Sequence, residues 1–228
     1  MSAPKVTAVK TVALNASQFR FLVAPVIPLA EKTSWGLPVL NAVLIEGVGQ
    51  YLTATATDRY RIGVQRIKVD VDVSGFTALV SIRSLRSILS IFKTTRKFNP
   101  ELTFTVTDTT FAVEAVGAIS VDIGFVSGSM AWPLVDGEYP KVRNIIADAH
   151  ARASEGDDLL NPAFLADFQS AQHHGEPMLM RGSPGHAYFV QIGADFVGAI
   201  MPVRASDAPM FDVEWVTYFA AAKTEVAA

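Results

Sequence analysis

Cysteine is absent from the 228 residues. That removes disulfides, thiolate metal sites and a cysteine nucleophile together, and it suits a reducing compartment, with the cytoplasm as the expected location. Charge is sparse as well. Only 18% of residues are Asp, Glu, Lys or Arg, below the usual ~25%, so the composition is that of a compact globular chain rather than a disordered one. Nor is there an excess of positive charge: 19 Lys plus Arg stand against 22 Asp plus Glu, a net charge of -3. The chain therefore lacks the global basicity of a protein that coats nucleic acid, and any such contact has to be local. Long apolar runs are missing too. The longest, Phe21 to Ala30, is ten residues with two prolines, and the N-terminal MSAPKVTAVKTVALNASQF has no apolar core of signal-peptide length, so no membrane partner is expected.

Catalytic constellations are equally scarce. Of the four histidines, His173 and His174 are adjacent and point apart, while His150 and His186 stand alone in loop-like sequence. No Asp/Glu/His group has metal-ligand spacing, and no glycine-rich phosphate loop or GxSxG elbow occurs. The expectation is a protein with no enzymatic activity, catalytic residue, metal or cofactor. Asp58, between Thr57 and Arg59, reads as a turn residue capping its own backbone rather than as an acid catalyst.

What the sequence does contain is alternation. Leu102, Phe104 and Val106 interleave with Thr103, Thr105 and Thr107, and Ile119, Val121, Ile123 and Phe125 with Ser120, Asp122 and Gly124, the mark of half-buried antiparallel strands. The same reading covers Val43 to Glu46, Tyr51 to Ala56, Ile62 to Val71, Phe111 to Val116, Pro177 to Arg181 and Tyr188 to Ile200. Three stretches break the alternation, each after a helix-start signal. Asn15 with Gln18 resembles a capping box, Ser81 opens the middle helix, and Asn161 precedes Pro162. Around each, the order is a strand, a helix, then two or three strands, at about 10–73, 75–146 and 148–204, which predicts an α+β fold of three copies of one unit.

The middle segment, SIRSLRSILSIFKTTRK, has two faces. Ile82, Leu85, Leu89 and Phe92 follow three-four spacing and suit packing on a sheet, with Ile88 at the border. Arg83, Arg86, Ser90, Lys93 and Lys97 follow the same spacing on another face, with no acidic residue from Ser81 to Lys97. Like charges at helical spacing oppose a helix, so a one-sign stripe points to a polyanionic partner, with an ordinary solvated face as the alternative.

At LTATATDRYRIGV the sequence resembles a known family. A strand ending in Ala56-Thr57-Asp58, a tight turn, then Arg61-Ile62 is similar to the corresponding turn of bacterial DNA polymerase sliding clamps, the beta subunit of the replicative polymerase. Two further matches fall in order: LVDGEYPKVRNII (Leu134 to Ile146) resembles the family's interdomain linker, and AIMPVR (Ala199 to Arg204) its C-terminal strand. LPVLNAVLIEG and LNPAFLADFQSA resemble a strand and a helix of the same family. The likeness runs from about Lys5 to Arg204.

The resemblance implies a DNA-clamp-like fold, with antiparallel sheets on one side and helices on the other. It implies a full two-unit domain at 1–146, a partial domain of one unit at 147–204, and an additional tail at 205–228. It implies a processivity factor of DNA replication that binds duplex DNA without sequence specificity, through Arg20, Arg83, Arg86, Lys93, Arg96 and Lys97. It also implies a groove for a peptide of DNA polymerase or of other replication and repair proteins. The matching positions are Leu40, Thr57, Tyr60, Arg61, Ile62, Pro140, Ile145, Ala199, Met201, Pro202, Val203 and Arg204; read without the resemblance, these are strand-end packing residues. Arg61 and Arg204 would hold acidic or carbonyl groups of the peptide. A clamp loader and a homo-oligomeric ring belong to the same expectation. Family rings hold twelve units, and three per chain reach twelve with four chains.

Three departures accompany the likeness. Arg59 and Tyr60 stand where the family usually has glycine and an aromatic or histidine. The third helix carries Asp167 and no Lys or Arg. Half of the family's six units have no counterpart, which leaves open a clamp-fold accessory module that binds proteins without encircling DNA. The tail residues Phe211, Val213, Trp215, Val216, Tyr218 and Phe219 are expected to pack against the third unit or a neighbouring chain.

Overall fold

In the computed structural model, the described residues are 10–33, 37–96, 98–115, 128–151 and 159–203. The first unit runs β1 (Lys10–Asn15), α1 (Ala16–Val23), β2 (Ala42–Val48), β3 (Tyr51–Thr57) and β4 (Arg61–Lys68). The second runs β5 (Thr77–Ser81), α2 (Ile82–Ile91), β6 (Glu101–Val106), β7 (Thr110–Ala115) and β8 (Gly128–Pro133). After a further helix, α3 (Arg143–Ala151), the third unit presents α4 (Pro162–Asp167), a 3-10 turn (Phe168–Ala171), β9 (Met178–Arg181), β10 (Tyr188–Ile192) and β11 (Phe196–Ile200). The alternating segment Ile119 to Phe125 lies outside the described residues.

The helix starts follow the local chemistry. The Asn15 side chain accepts from the Gln18 amide at 2.9 Å while Gln18 Oε1 accepts from the Asn15 amide at 2.9 Å, a complete capping box. Ser81 Oγ accepts from the Ser84 amide at 3.0 Å, and Asn161 Oδ1 from the Ala163 amide at 2.9 Å beside Pro162. Because α1 then presents Ala16, Phe19, Leu22 and Val23 on one side, that side is buried against the sheets.

Two antiparallel sheets result, one ordered β1-β6-β7-β8 and one ordered β5-β2-β3-β4-β11-β10-β9. The first two units exchange their opening strands: β1 pairs with β6 of the second unit, and β5 with β2 of the first. This exchange closes them into one core, in which Phe19 stacks on Phe104 at 4.5 Å between ring centroids and α2 buries Ile82, Leu85 and Ile88. The third unit joins through β11, which continues the larger sheet beyond β4 with Ala199 opposite Ile62 and Gly198 opposite Gly63.

That seam admits only a small residue. A Cβ on Gly198 would lie 2.4 Å from the Ile62 carbonyl oxygen and 3.1 Å from the Phe168 ring. Gly198→Ala should therefore cost about 1–3 kcal/mol of stability. Urea denaturation reads this, and an unchanged midpoint would mean that the seam yields freely.

Three features differ from the sequence reading. The middle helix ends at Ile91, and the backbone beyond it folds into a turn in which Thr95 and Phe98 exchange amide-carbonyl bonds at 2.8 and 3.2 Å. Two adjacent threonines and clustered like charges weaken a helix there, so Lys93 and Arg96 stand past its end. Ile88, read as a border residue, is fully buried. The segment Tyr188 to Ile200 is two strands, divided by a turn with Gly193 at φ 59°.

A further difference is α3, a helix within the stretch read as a linker. It packs on β10 and β11 through Ile146 and Ala149, with Val142 just before its start, from the face of the sheet that carries Ile62, Phe189 and Ala199. The opposite face, with Val190, Ile192, Phe196 and Ile200, belongs to the main core shared with α1 and α2.

Candidate peptide groove and basic helix face

The turn between β3 and β4 is built by its own side chains. Thr57 Oγ1 donates to the Arg61 carbonyl at 2.7 Å and accepts from the Arg59 amide at 3.2 Å. Asp58 Oδ1 accepts from the Tyr60 and Arg61 amides at 3.0 and 2.8 Å. Asp58 thus caps the turn, as its sequence context implied. Arg59 takes φ 78°, a left-handed conformation that favours glycine. Its guanidinium reaches Glu31 at 3.7 Å.

Arg61 points inward. It is 2% exposed, donates through Nε and Nη2 to Asp58 Oδ2 at 3.0 and 2.6 Å and through Nη1 to Asp167 of α4, and lies 4.3 Å from the centroid of the Phe164 ring. Lys32 Nζ adds a bond to Asp167 at 2.9 Å. Burial alone would lower the guanidinium pKa, but bonds to the two carboxylates outweigh it and hold the pKa above its ordinary value. Burial pushes the Asp167 carboxyl up, yet hydrogen bonds and charge from Arg61 and Lys32 hold it below the usual range. Asp167, the acid on α4, set against the basic pattern elsewhere, thus fastens the third unit to the first.

The remaining groove positions divide by burial. Leu40, Thr57, Ile62 and Ala199 are buried, Pro202 and Val203 half-buried. Tyr60, Ile145 and Met201 are exposed at 57%, 44% and 40%, and Pro140 is also exposed. The Met201 amide donates to the Tyr60 carbonyl at 2.8 Å, bringing the end of β11 beside the β3–β4 turn. Ile145 and Met201 line one cleft of about 200 Å³ together with Asp148, Ala149, Gly185, His186 and Ala187. Pro140 borders a separate cleft of about 310 Å³ with Leu44, Glu46, Thr55 and Tyr139. Arg204 lies outside the described residues. Sequence reasoning missed the contribution of α3 and of the loop at Gly185 to Ala187. The signal for the helix was present as Val142, Ile146 and Ala149 at helical spacing.

On α2, Arg83 and Arg86 are exposed opposite the buried Ile82, Leu85 and Ile88. Lys93 and Arg96 are exposed beyond its end, and Lys97 lies outside the described residues. Arg20 of α1 is exposed and donates from Nη2 to the Leu89 carbonyl at 3.0 Å. It thereby satisfies a carbonyl in the last turn of α2, where a cation also meets the negative end of the helix dipole. Among the described residues, no group of three or more His, Asp or Glu could hold a metal ion, and no helix is long and apolar enough to cross a membrane.

No family model matches the chain. It is 31% identical over 140 residues to the beta sliding clamp of Micrococcus luteus, a match that spans 60% of this chain and 40% of the relative. Among solved structures, the DNA polymerase III beta subunit of Thermotoga maritima superposes with a TM-score of 0.66 at 14% identity, covering 90% of this chain and 68% of that one. The beta subunit of the Streptococcus pyogenes DNA polymerase gives 0.67 at 16% identity, with 90% and 68% covered. The chain thus resembles bacterial DNA polymerase sliding clamps in sequence and has their fold, over about two thirds of the length of the solved members.

Proposed function

We propose that this chain acts as a sliding-clamp-like processivity factor, binding duplex DNA without reading bases and tethering a DNA polymerase or a repair protein. The observation that carries the reading is the one-sign helical face: Arg83 and Arg86 exposed on α2, with Arg20 and Lys93 beside it and no acidic residue in the helix. A factor that holds DNA yet moves along it needs attraction to phosphates and no base-specific bonds. Long, solvent-exposed cations on a regular helix supply that, because releasing condensed counterions drives binding irrespective of sequence. Retention on circular but not linear duplex tests it.

The partner peptide is assigned to the cleft of Ile145 and Met201, which the Met201 amide's bond to the Tyr60 carbonyl ties to the β3–β4 turn. A thioether and an aliphatic wall adapt to hydrophobic anchors, and the exposed apolar surface there gains by being covered. Arg61 serves this site indirectly: its side chain is held by Asp58 and Asp167, so its part is to fix the turn that carries Tyr60. Encirclement needs several copies, and a homo-oligomer placed by a clamp loader follows from the same reading. Units at 1–146 and 147–204 would act as its closed and partial domains.

Replacing both Ile145 and Met201 by Ala should weaken binding of a polymerase-derived clamp-binding peptide by more than ~1 kcal/mol per anchor lost. Both side chains are exposed, so the fold should persist. Isothermal titration beside circular dichroism reads the two effects separately, and unchanged affinity in a folded variant would move the peptide elsewhere.

A further inference from the structure

In the first unit, β2 is flanked by β3 on one side and on the other by β5, paired from Ala42↔Ser81 to Glu46↔Thr77. In the third unit, β9, β10 and β11 occupy the places of β2, β3 and β4, but the outer edge of β9 has no partner strand among the described residues. All four β9 residues are exposed, with Met178 at 42%, Leu179 at 41% and Met180 at 37%. An open edge with apolar side chains is a template for another strand.

We infer that residues 211–215 of the same chain, Phe-Asp-Val-Glu-Trp, fill this slot as a strand antiparallel to β9. Their alternation is that of a strand, with Phe211, Val213 and Trp215 on one face and Asp212 and Glu214 on the other. The chain also leaves the sheet at the right end. Ile200 pairs with Tyr188, and the adjacent Phe189 pairs with Arg181, so β11 ends beside the end of β9. A chain returning from there enters the slot at Arg181 and runs antiparallel. The slot lies three strand spacings from β11, about 14 Å, and the eight steps from Val203 to Phe211 span up to about 26 Å.

The chemistry selects a register. Met180 pairs with Val190, and Met178 with Ile192, on the face that joins the main core. Val213 opposite Met180 and Trp215 opposite Met178 extend those two apolar rows by one strand. The same register sets Asp212 opposite Arg181, a cross-strand pair of opposite charge, with Glu214 on the same face. This inference is independent of DNA or peptide binding.

Because the protein has no cysteine, a full-length Met180→Cys/Val213→Cys variant tests it directly. Mild oxidation should give an intramolecular disulfide in most of the folded protein, seen as a monomer on a non-reducing gel and reversed by dithiothreitol. A disulfide-linked dimer would give the slot to a second copy and overturn the inference, as would free thiols in folded protein. Hydrogen exchange of full-length Val213→Pro, which cannot pair through that amide, should show β9 amides exchanging at least about tenfold faster than in wild type. Equal rates would overturn it.

Discussion

Arg61→Met should destabilise the protein by about 3–5 kcal/mol, the range for removing one partner of a buried ion pair. Asp58 is 6% exposed and Arg61 2%, so the substitution leaves a buried carboxylate with backbone donors alone and takes the guanidinium from the Phe164 ring. Adding Asp58→Asn to Arg61→Met should recover part of the loss by removing the uncompensated charge, an outcome that a simple packing defect would not give. Urea denaturation of the single and double variants measures both. A loss below about 1 kcal/mol for Arg61→Met would show that the cluster contributes little.

The same cluster sets a pH dependence. Asp167 is depressed in the folded state, so its contribution to stability is present above the unfolded carboxylate value of about 3.9 and is lost as pH falls through the lower folded value. The stability gap between wild type and Asp167→Asn should therefore be widest near neutral pH and shrink below about pH 4. A gap independent of pH would mean that Asp167 acts through packing.

Reversing Arg83, Arg86 and Lys93 to Glu should abolish most duplex binding. If each cation neutralises one phosphate, the log-log salt slope falls by about 0.9 per contact, or about 2.7 for the three. All three side chains are exposed, so the fold should survive. Arg20 is less suitable for this purpose, since its bond to the Leu89 carbonyl supports the end of α2. Fluorescence anisotropy of a labelled duplex from about 50 to 200 mM salt gives the slope. Wild-type protein without salt-dependent binding, or a reversed variant with an unchanged slope, would remove DNA from the proposed function.

The legible parts of this protein were those governed by near neighbours in sequence. Asn15 with Gln18, Ser81 and Asn161 with Pro162 cap their helices because a cap needs only partners two or three residues away. Alternation along Leu102 to Val106 marked a strand with one buried face, and the spacing of Ile82, Leu85, Leu89 and Phe92 left Arg83 and Arg86 outside. Motif resemblance pointed to Ile145 and Met201, which the fold brings to one cleft. It missed the cleft lining that α3 and the Gly185 to Ala187 loop provide.

Amino-acid order alone thus determined the strand-helix-strand order of the first two units, the helix caps, the one-sign face of α2 and the Asp58 turn. Tertiary structure decided the exchange of β1 and β5, the joining of β4 to β11, the place of α3 on the far side of the sheet, and the fate of Arg61. The reason is one of distance. A local pattern tells which side of an element is apolar, but whether a guanidinium stays open to a peptide or is neutralised depends on what the fold brings to it. Here that was Asp167, 106 residues along the chain.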